Sequence, residues 1–236
     1  MGLFSSDVKV GKSGILKGFT DHHCHILPGV DDGFKTVEDS LEALALYEQA
    51  GICEVWLTPH IMEDIPNATA DLKARFGQLK AEYKGGIRLH LASENMLDSL
   101  FDERLASGDL LPMPGRHLLV ETSYFNPPAG FHGILADIKS KGYFPLLAHP
   151  ERYMYMDMDE YRRLRSEDVR FHLNLTSVTG HYGPEVRDKA LKLLKEGMYD
   201  LAGTDLHRTS TFEHLLESSL SRKSASAIQE LPLKNL

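Results

Sequence analysis

The stretch HLLVETSYFNPPAGFHGILADIKSKGYFPLLAHPERY, residues 117–153, carries one complete strand–helix–strand pattern. It opens on an apolar run, HLLVETSY (117–124), and ends on another, YFPLLAH (143–149). Such runs, rich in branched and aromatic residues and bounded by Gly or Pro, read as strands. Residues 131–141 between them carry a helical period, and the glycine of SKGYFP marks the change from helix to strand. KEGMYD (195–200) repeats that transition.

The same alternation extends in both directions. Further strand-like runs are GFTDHHCH (18–25), CEVWLTPH (53–60), IRLHLASE (87–94), FHLNLTS (171–177) and MYDLAGTDLH (198–207). The clearest helix is TVEDSLEALALYEQAG (36–51): Thr36 can cap it, Asp39 completes a box-like start, Leu41, Leu44 and Tyr47 share a face, and Gly51 ends it. Helices are also expected near 68–83, 97–107, 157–166 and 184–196. Seven strands alternating with helices predict a parallel α/β architecture, which a barrel and an open doubly wound sheet fit equally. Residues 217–236 read as a terminal helix or a loose tail.

A chain of 236 residues can fold as one large domain. Its net charge of −8 leaves no basic footprint of the kind a nucleic-acid groove needs, so no nucleic-acid partner is expected. Two cysteines, Cys24 and Cys53, are too few for a disulfide framework and suggest a reducing compartment. There is neither an apolar run of about 20 residues for a membrane helix nor a secretory signal. MGLFSS fits the permissive myristoylation pattern through Gly2 and Ser6, but reads more simply as a polar lead-in. A cytoplasmic location is expected, and the sequence leaves the oligomeric state open.

Metal-ligating residue types fall at or near the strand ends. His23 and His25, His60, Glu94, Glu121, His149, then Asp205 and His207 end six of the seven runs or lie just before the end. Asp32 follows in the loop after the first run. In parallel α/β folds the C-terminal strand ends share one face, so these nine residues converge. A single histidine after an apolar run is usually a satisfied polar residue. His23-x-His25 says more, because alternate residues on a strand face the same way and can share an ion. His22, His90, His117, His132, His172, His181 and His214 fit less well and are read as structural or surface residues. In a regular strand His22 points away from His23.

A cysteine phosphatase needs an arginine six positions after its nucleophile, and Val30 and Pro59 stand there instead. Cys24 is therefore read as a small buried bystander. Nine ligands are too many for one ion, and mixed nitrogen and oxygen donors suit zinc, manganese or iron. Glu94 and Glu121 are natural bridging carboxylates. Two or three ions about 3.5–4 Å apart would hold a hydroxide near neutral pH and clamp a tetrahedral oxyanion, most simply a phosphate ester. Arg152, in the loop after His149, offers a bidentate grip on phosphate, or else a surface pair with Glu151. Arg208 is a weaker candidate, and Tyr124, Phe125 and Tyr153 could flank an aromatic leaving group.

In order, DHHCHILPGVDDG, TPHIME, ASEN, LVETSYFNPP, LAHPERY and AGTDLH resemble the polymerase and histidinol phosphatase (PHP) family over roughly residues 19–215. They are most similar to its bacterial metal-dependent tyrosine-protein phosphatases of capsular and exopolysaccharide synthesis. The resemblance implies a distorted seven-stranded (β/α) barrel with a trinuclear site, usually of manganese, with iron or zinc as alternatives. It assigns one ion to His23, His25, Glu94 and Asp205, a second to Glu94, Glu121 and His149, and a third to Asp32, His60 and His207. Arg152, Glu94 and Asp205 carry the catalytic roles, Arg152 by binding phosphate while a metal-bridging hydroxide attacks phosphorus. The implied partner is a phosphotyrosine protein, such as a bacterial tyrosine kinase. Residues 1–18 become a lead-in, 19–215 the metallo-phosphatase domain and 216–236 a terminal helix or tail. A histidinol-phosphate or other small-molecule phosphatase, an amidohydrolase-type enzyme and a sensor without turnover are the competing readings.

Overall fold

The computed structural model describes residues 7–231. The lead-in stretch MGLFSS and residues 232–236 lie outside the described residues. The strands, in chain order, are β1 (Asp7–Lys9), β2 (Thr20–Cys24), β3 (Glu54–Leu57), β4 (His60–Ile61), β5 (Arg88–Leu91), β6 (Glu94–Met96), β7 (His117–Glu121), β8 (Phe144–Ala148), β9 (Arg170–Asn174), β10 (Leu201–Gly203) and β11 (Ser219–Ser221).

Six of them form one curled parallel sheet in the order β10-β9-β8-β7-β6-β4. A second parallel sheet is β2-β3-β5. A single ring of seven strands was expected from the resemblance; the hydrogen-bonded ladders divide instead into six strands and three. The cause is local. Two expected strands are interrupted: 53–60 breaks at Thr58–Pro59 and 87–94 breaks at Ala92–Ser93. Proline has no N–H to give a ladder, so it marks such a break. His60 and Glu94 therefore begin short strands rather than ending long ones.

The helices fall where the periodicity puts them. Thr36 accepts the N–H of Asp39 at the start of the helix Val37–Ala50, and Gly51 closes it at a left-handed φ of 93° that favours glycine. The others include Thr69–Glu82, Ser99–Ser107, Phe131–Ser140, Met158–Ser166 and Pro184–Lys195. Their buried faces and the outer strand faces form the main core. A smaller apolar cluster comprises Ala92, Met113, Leu119, Leu146, Ala148 and Leu201, with Trp56 against it. Beyond the sheets, the flanks meet: β1 pairs antiparallel with β11, which leads into the helix Arg222–Glu230.

Candidate metal centre

The expected residues converge because of where the strands stop. Glu121 is the last residue of β7, while His25 and His149 each lie one past the end of their strands. Asp205 lies two past β10, and its N–H donates to the carbonyl of His23. His149 and Asp205 have φ of 33° and 53°, a left-handed backbone that non-glycine residues rarely adopt. Strain of this kind concentrates at functional sites. The approach of the first and last strands also demands a glycine: a Cβ on Gly203 would lie 2.6 Å from both the His23 nitrogen and Nε2 of His172.

Three groups of donor atoms result: His23, His25, Glu94 and Asp205; His60, Glu94 and Glu121; and His25, Asp32, His60 and His207. In the first, Nε2 of His23 is 3.0 Å from Glu94 Oε2, 3.1 Å from His25 Nε2 and 3.5 Å from Asp205 Oδ1. Donors bonded at about 2.1 Å to one tetrahedral ion stand roughly 3.4 Å apart, so this spacing suits a shared cation. His60 turns Nδ1 toward Glu121 Oε1 (3.1 Å) and Nε2 toward Asp32 Oδ1 (3.5 Å). His207 Nε2 is 3.3 Å from the same Asp32 oxygen. His149 was expected beside Glu94 and Glu121; its Nε2 reaches Glu94 at 3.1 Å but stays 3.8 Å from Glu121, and His60 occupies the closer place.

The chemistry of the set calls for cations. Glu94, Glu121 and Asp205 are all buried, and Glu94 Oε2, Glu121 Oε1 and His60 Nδ1 crowd within 3.3 Å of neighbouring donor atoms without an aligned hydrogen bond. Buried carboxylates need opposite charge. Burial alone would push the Glu94 carboxyl up, but the facing His23 and His60 outweigh it and hold the group well below the usual carboxylate range. Asp205 is held down likewise, against its own burial, by His23 and His25.

Arg152 sits over this cluster. Its guanidinium lies between the rings of Tyr124 (4.3 Å) and Tyr182 (4.1 Å), and Nη1 donates to Asp205 Oδ2 at 2.8 Å. The alternative pairing with Glu151 is absent. Glu151 is buried on the other side, accepting from the Asn174 N–H and the Tyr199 hydroxyl. A cavity of about 420 Å³ opens above, lined by Tyr124, Arg152, Tyr182, His207 and Arg208 among others. Arg208 stands at its exposed rim. Phe125 is 68% exposed and lies outside that lining, while Tyr153 is fully buried with its hydroxyl donating to the Ala148 carbonyl.

The chain matches the family described as capsular polysaccharide synthesis, CpsB/CapC, over residues 19–225. It belongs to the CpsB/CapC family. It is 27% identical to the tyrosine-protein phosphatase YwqE of Bacillus subtilis over 81% of this chain and 78% of that protein. It is 24% identical to the putative tyrosine-protein phosphatase CapC of Staphylococcus aureus over 89% of this chain and 85% of that one. A crystal structure from work on YwqE and CpsB of Streptococcus pneumoniae, titled as unique metal-dependent tyrosine phosphatases, superposes with a TM-score of 0.76 at 23% identity, covering 92% of this chain and 88% of that one.

Several site residues of this CpsB/CapC chain escaped sequence reading. Asp31 bonds Nδ1 of His25 at 2.8 Å and also accepts the N–H groups of Gly33 and His60, which turns His25 Nε2 to the cluster. Its neighbour Asp32 drew attention instead; the doubled aspartate was the available signal. Tyr182 and His181 follow the strand-like run 171–177 and line the cavity, so the strand-end rule could have found them. Asn174 donates to Asp205 at 3.0 Å. His172, read as structural or surface, is wholly buried, and its ring meets that of His23 edge-on at 5.0 Å. His22 joins none of the three donor groups; its Nδ1 lies 3.1 Å from the Ala202 carbonyl. Cys24 is buried, and burial pushes its thiol well above the usual range, as suits a bystander.

Proposed function

We propose that this chain is a metal-dependent protein-tyrosine phosphatase of capsular or exopolysaccharide synthesis. The observation that carries the reading is the convergence of eight ligand-type side chains in three groups, with His149 against Glu94, beneath an arginine held between two tyrosine rings. His23, His25, Glu94 and Asp205 would hold one ion, Glu94 and Glu121 with His60 or His149 a second, and Asp32, His60 and His207 a third. We assign manganese on the family resemblance, with iron or zinc compatible with the same donors. When bound, such ions supply Lewis-acid charge and lower the pKa of water.

The chain's own groups do the rest. Asp31 fixes the tautomer of His25, leaving Nε2 free to bind. The two tyrosine rings and Asp205 keep Arg152 from swinging, so its remaining N–H edge serves the equatorial phosphoryl oxygens. A tyrosinate leaving group has a pKa of about 10, so it departs with less help from an acid than an alkoxide needs. The substrate we infer is a phosphotyrosine protein, such as a bacterial tyrosine kinase controlling polysaccharide export. No described helix is long and apolar enough to cross a membrane, and a cytoplasmic site of action fits the reading.

We also read the two sheets as one interrupted barrel. Counting 54–61 and 88–96 as single strands gives seven, and the His25 N–H to Leu206 carbonyl bond (2.9 Å) joins the first to the last. On this reading residues 19–215 are the phosphatase domain, and the flanks 1–18 and 216–236 contribute the β1–β11 pair.

The test is turnover of a phosphotyrosine peptide and of histidinol phosphate by metal-stripped protein with manganese restored. Manganese-dependent preference for the peptide is expected. Arg152→Ala should lower kcat/KM about a hundredfold or more with metal content unchanged. Undiminished turnover in that variant would remove Arg152 from phosphate binding, and preference for histidinol phosphate would overturn the substrate.

A further inference from the structure

The larger cavity is not the one over the metal cluster. A hollow of about 740 Å³ lies beside it, walled by Pro127, Pro128, Phe131 and Tyr155. Its lining also carries Asp157, Asp159 and Glu160, with His132 and Arg163. The nearby cations are engaged elsewhere or shared: Arg163 donates to Glu167 at 3.2 Å, and Arg162 is divided between Asp159 and Glu196. Glu160 faces His132 at 2.9 Å, and Asp157 accepts the N–H groups of Asp159 and Glu160. The hollow thus combines apolar side chains with three carboxylates against one arginine.

Its connection to the metal cavity is short. Tyr124 lines the metal cavity and Pro127 lines the hollow. Three residues span at most about 10 Å. The rings of Tyr124, Tyr153 and Tyr155 stack in sequence at 6.2 and 5.8 Å, joining the two walls. At this junction the Met154 N–H donates to the Tyr124 carbonyl, and the adjoining Phe125 and Met154 side chains are 68% and 62% exposed. Only one other large apolar side chain among the described residues, Phe144, is so exposed. Exposed apolar groups gathered at the mouth of a site mark a contact surface.

We propose that this hollow is a docking groove for a flanking segment of the substrate chain, carrying an apolar and a basic side chain about three residues from the phosphotyrosine. The inference rests on the phosphatase reading above. At about 3.4 Å per extended residue, a Tyr124–Pro127 span of at most about 10 Å keeps the groove within about three residues of the site. The Phe125–Met154 surface and the proline wall take the apolar residue, and the Asp157, Asp159 and Glu160 carboxylates take the lysine or arginine.

Two matched phosphotyrosine peptides test this, one with Leu-Lys-Lys and one with Ser-Glu-Glu beginning three residues from the phosphotyrosine. p-Nitrophenyl phosphate serves as a probe too small to reach the groove. The variants are Phe125→Ala and Asp159→Lys, both at exposed positions, with manganese restored throughout. The wild-type protein should show a KM about fivefold or more lower for the basic peptide. Each variant should raise that KM about fivefold while leaving p-nitrophenyl phosphate turnover unchanged, and Asp159→Lys should favour the acidic peptide. Equal KM values on wild type, or variant effects shared by the small ester, overturn the groove alone. A concentration-dependent dimer lost in Phe125→Ala, without a peptide effect, gives the surface to a second copy and also overturns it. Hydrolysis of the small ester with no turnover of either peptide removes the phosphotyrosine reading, and the groove falls with it.

Discussion

Glu94 and Glu151 are both fully buried, yet their surroundings drive them in opposite directions. Around Glu94, His23 and His60 overcome the effect of burial and hold the carboxyl well below its usual range. Around Glu151, burial dominates the attraction of His149 and the hydrogen bonds of Tyr199, and the carboxyl is raised. The first region is built to carry charge and bind cations. The second holds the His149–Arg152 loop in place through the Asn174 N–H and the Tyr199 hydroxyl. Burial alone therefore says little about a carboxylate's role; its partners decide.

The sharpest break comes from Glu94→Gln, which removes a charge shared by two donor groups. It should strip metal from the protein and lower kcat/KM about a thousandfold, or ~4 kcal/mol, checked by metal analysis beside peptide turnover. If metal content and activity both persist, Glu94 is not a ligand. Asp31→Asn leaves every candidate ligand in place but disturbs the orientation of His25. A loss of about 10- to 100-fold in metal affinity is expected, measured by competition with a chelator.

Glu151 should respond as a structural group. Glu151→Ala leaves the Asn174 N–H and the Tyr199 hydroxyl unpaired, for about 2 kcal/mol of stability in urea unfolding at fixed metal concentration. Glu151→Gln tests the sign of its titration. A carboxyl raised in the folded state contributes stability that is complete below its unfolded value, near 4.5, and is lost as pH rises through the folded value. The glutamine variant should thus gain on the wild type as pH rises from 4.5 to neutrality; a constant difference would contradict the raised carboxyl.

The smallest effect belongs to a surface glutamate. Glu167 accepts from His132 and Arg163 and is held below its usual value, by the His132 hydrogen bond first. Its contribution is present above about pH 4.5 and fades as pH falls. Glu167→Gln should change stability by only a few tenths of a kcal/mol at pH 7, and by nothing in acid, because solvent screens exposed pairs. A larger change would mean that the contact between helices Phe131–Ser140 and Met158–Ser166 matters more than its exposure suggests.

Much of this was legible because strand ends in parallel α/β folds share a face. His25, Glu121, His149 and Asp205 could be placed by counting to the end of an apolar run. His60 and Glu94 fall within the donor groups but begin short strands instead of ending long ones, since the breaks at Pro59 and Ser93 restart their strands. What Tyr182, Asn174 and Asp31 each touch was not legible, although strand-end position and the doubled aspartate point to Tyr182 and Asp31 as candidates. Each acts on a residue distant in the sequence or on a particular ring nitrogen, and periodicity carries no information about either.

The alternation of strands and helices, the helix ends at Thr36 and Gly51, and the identity of the ligand-type residues can all be read along the chain. These follow from local rules: apolar period, capping and the direction of parallel strands. Only the tertiary structure decided that His60 rather than His149 stands closer to Glu121, and that Arg152 pairs with Asp205 and not with its neighbour Glu151. It also decided that two equally buried glutamates titrate in opposite directions. Those outcomes depend on distances of a few ångströms between groups far apart in the chain, where the charge and burial of the assembled neighbours set the energy.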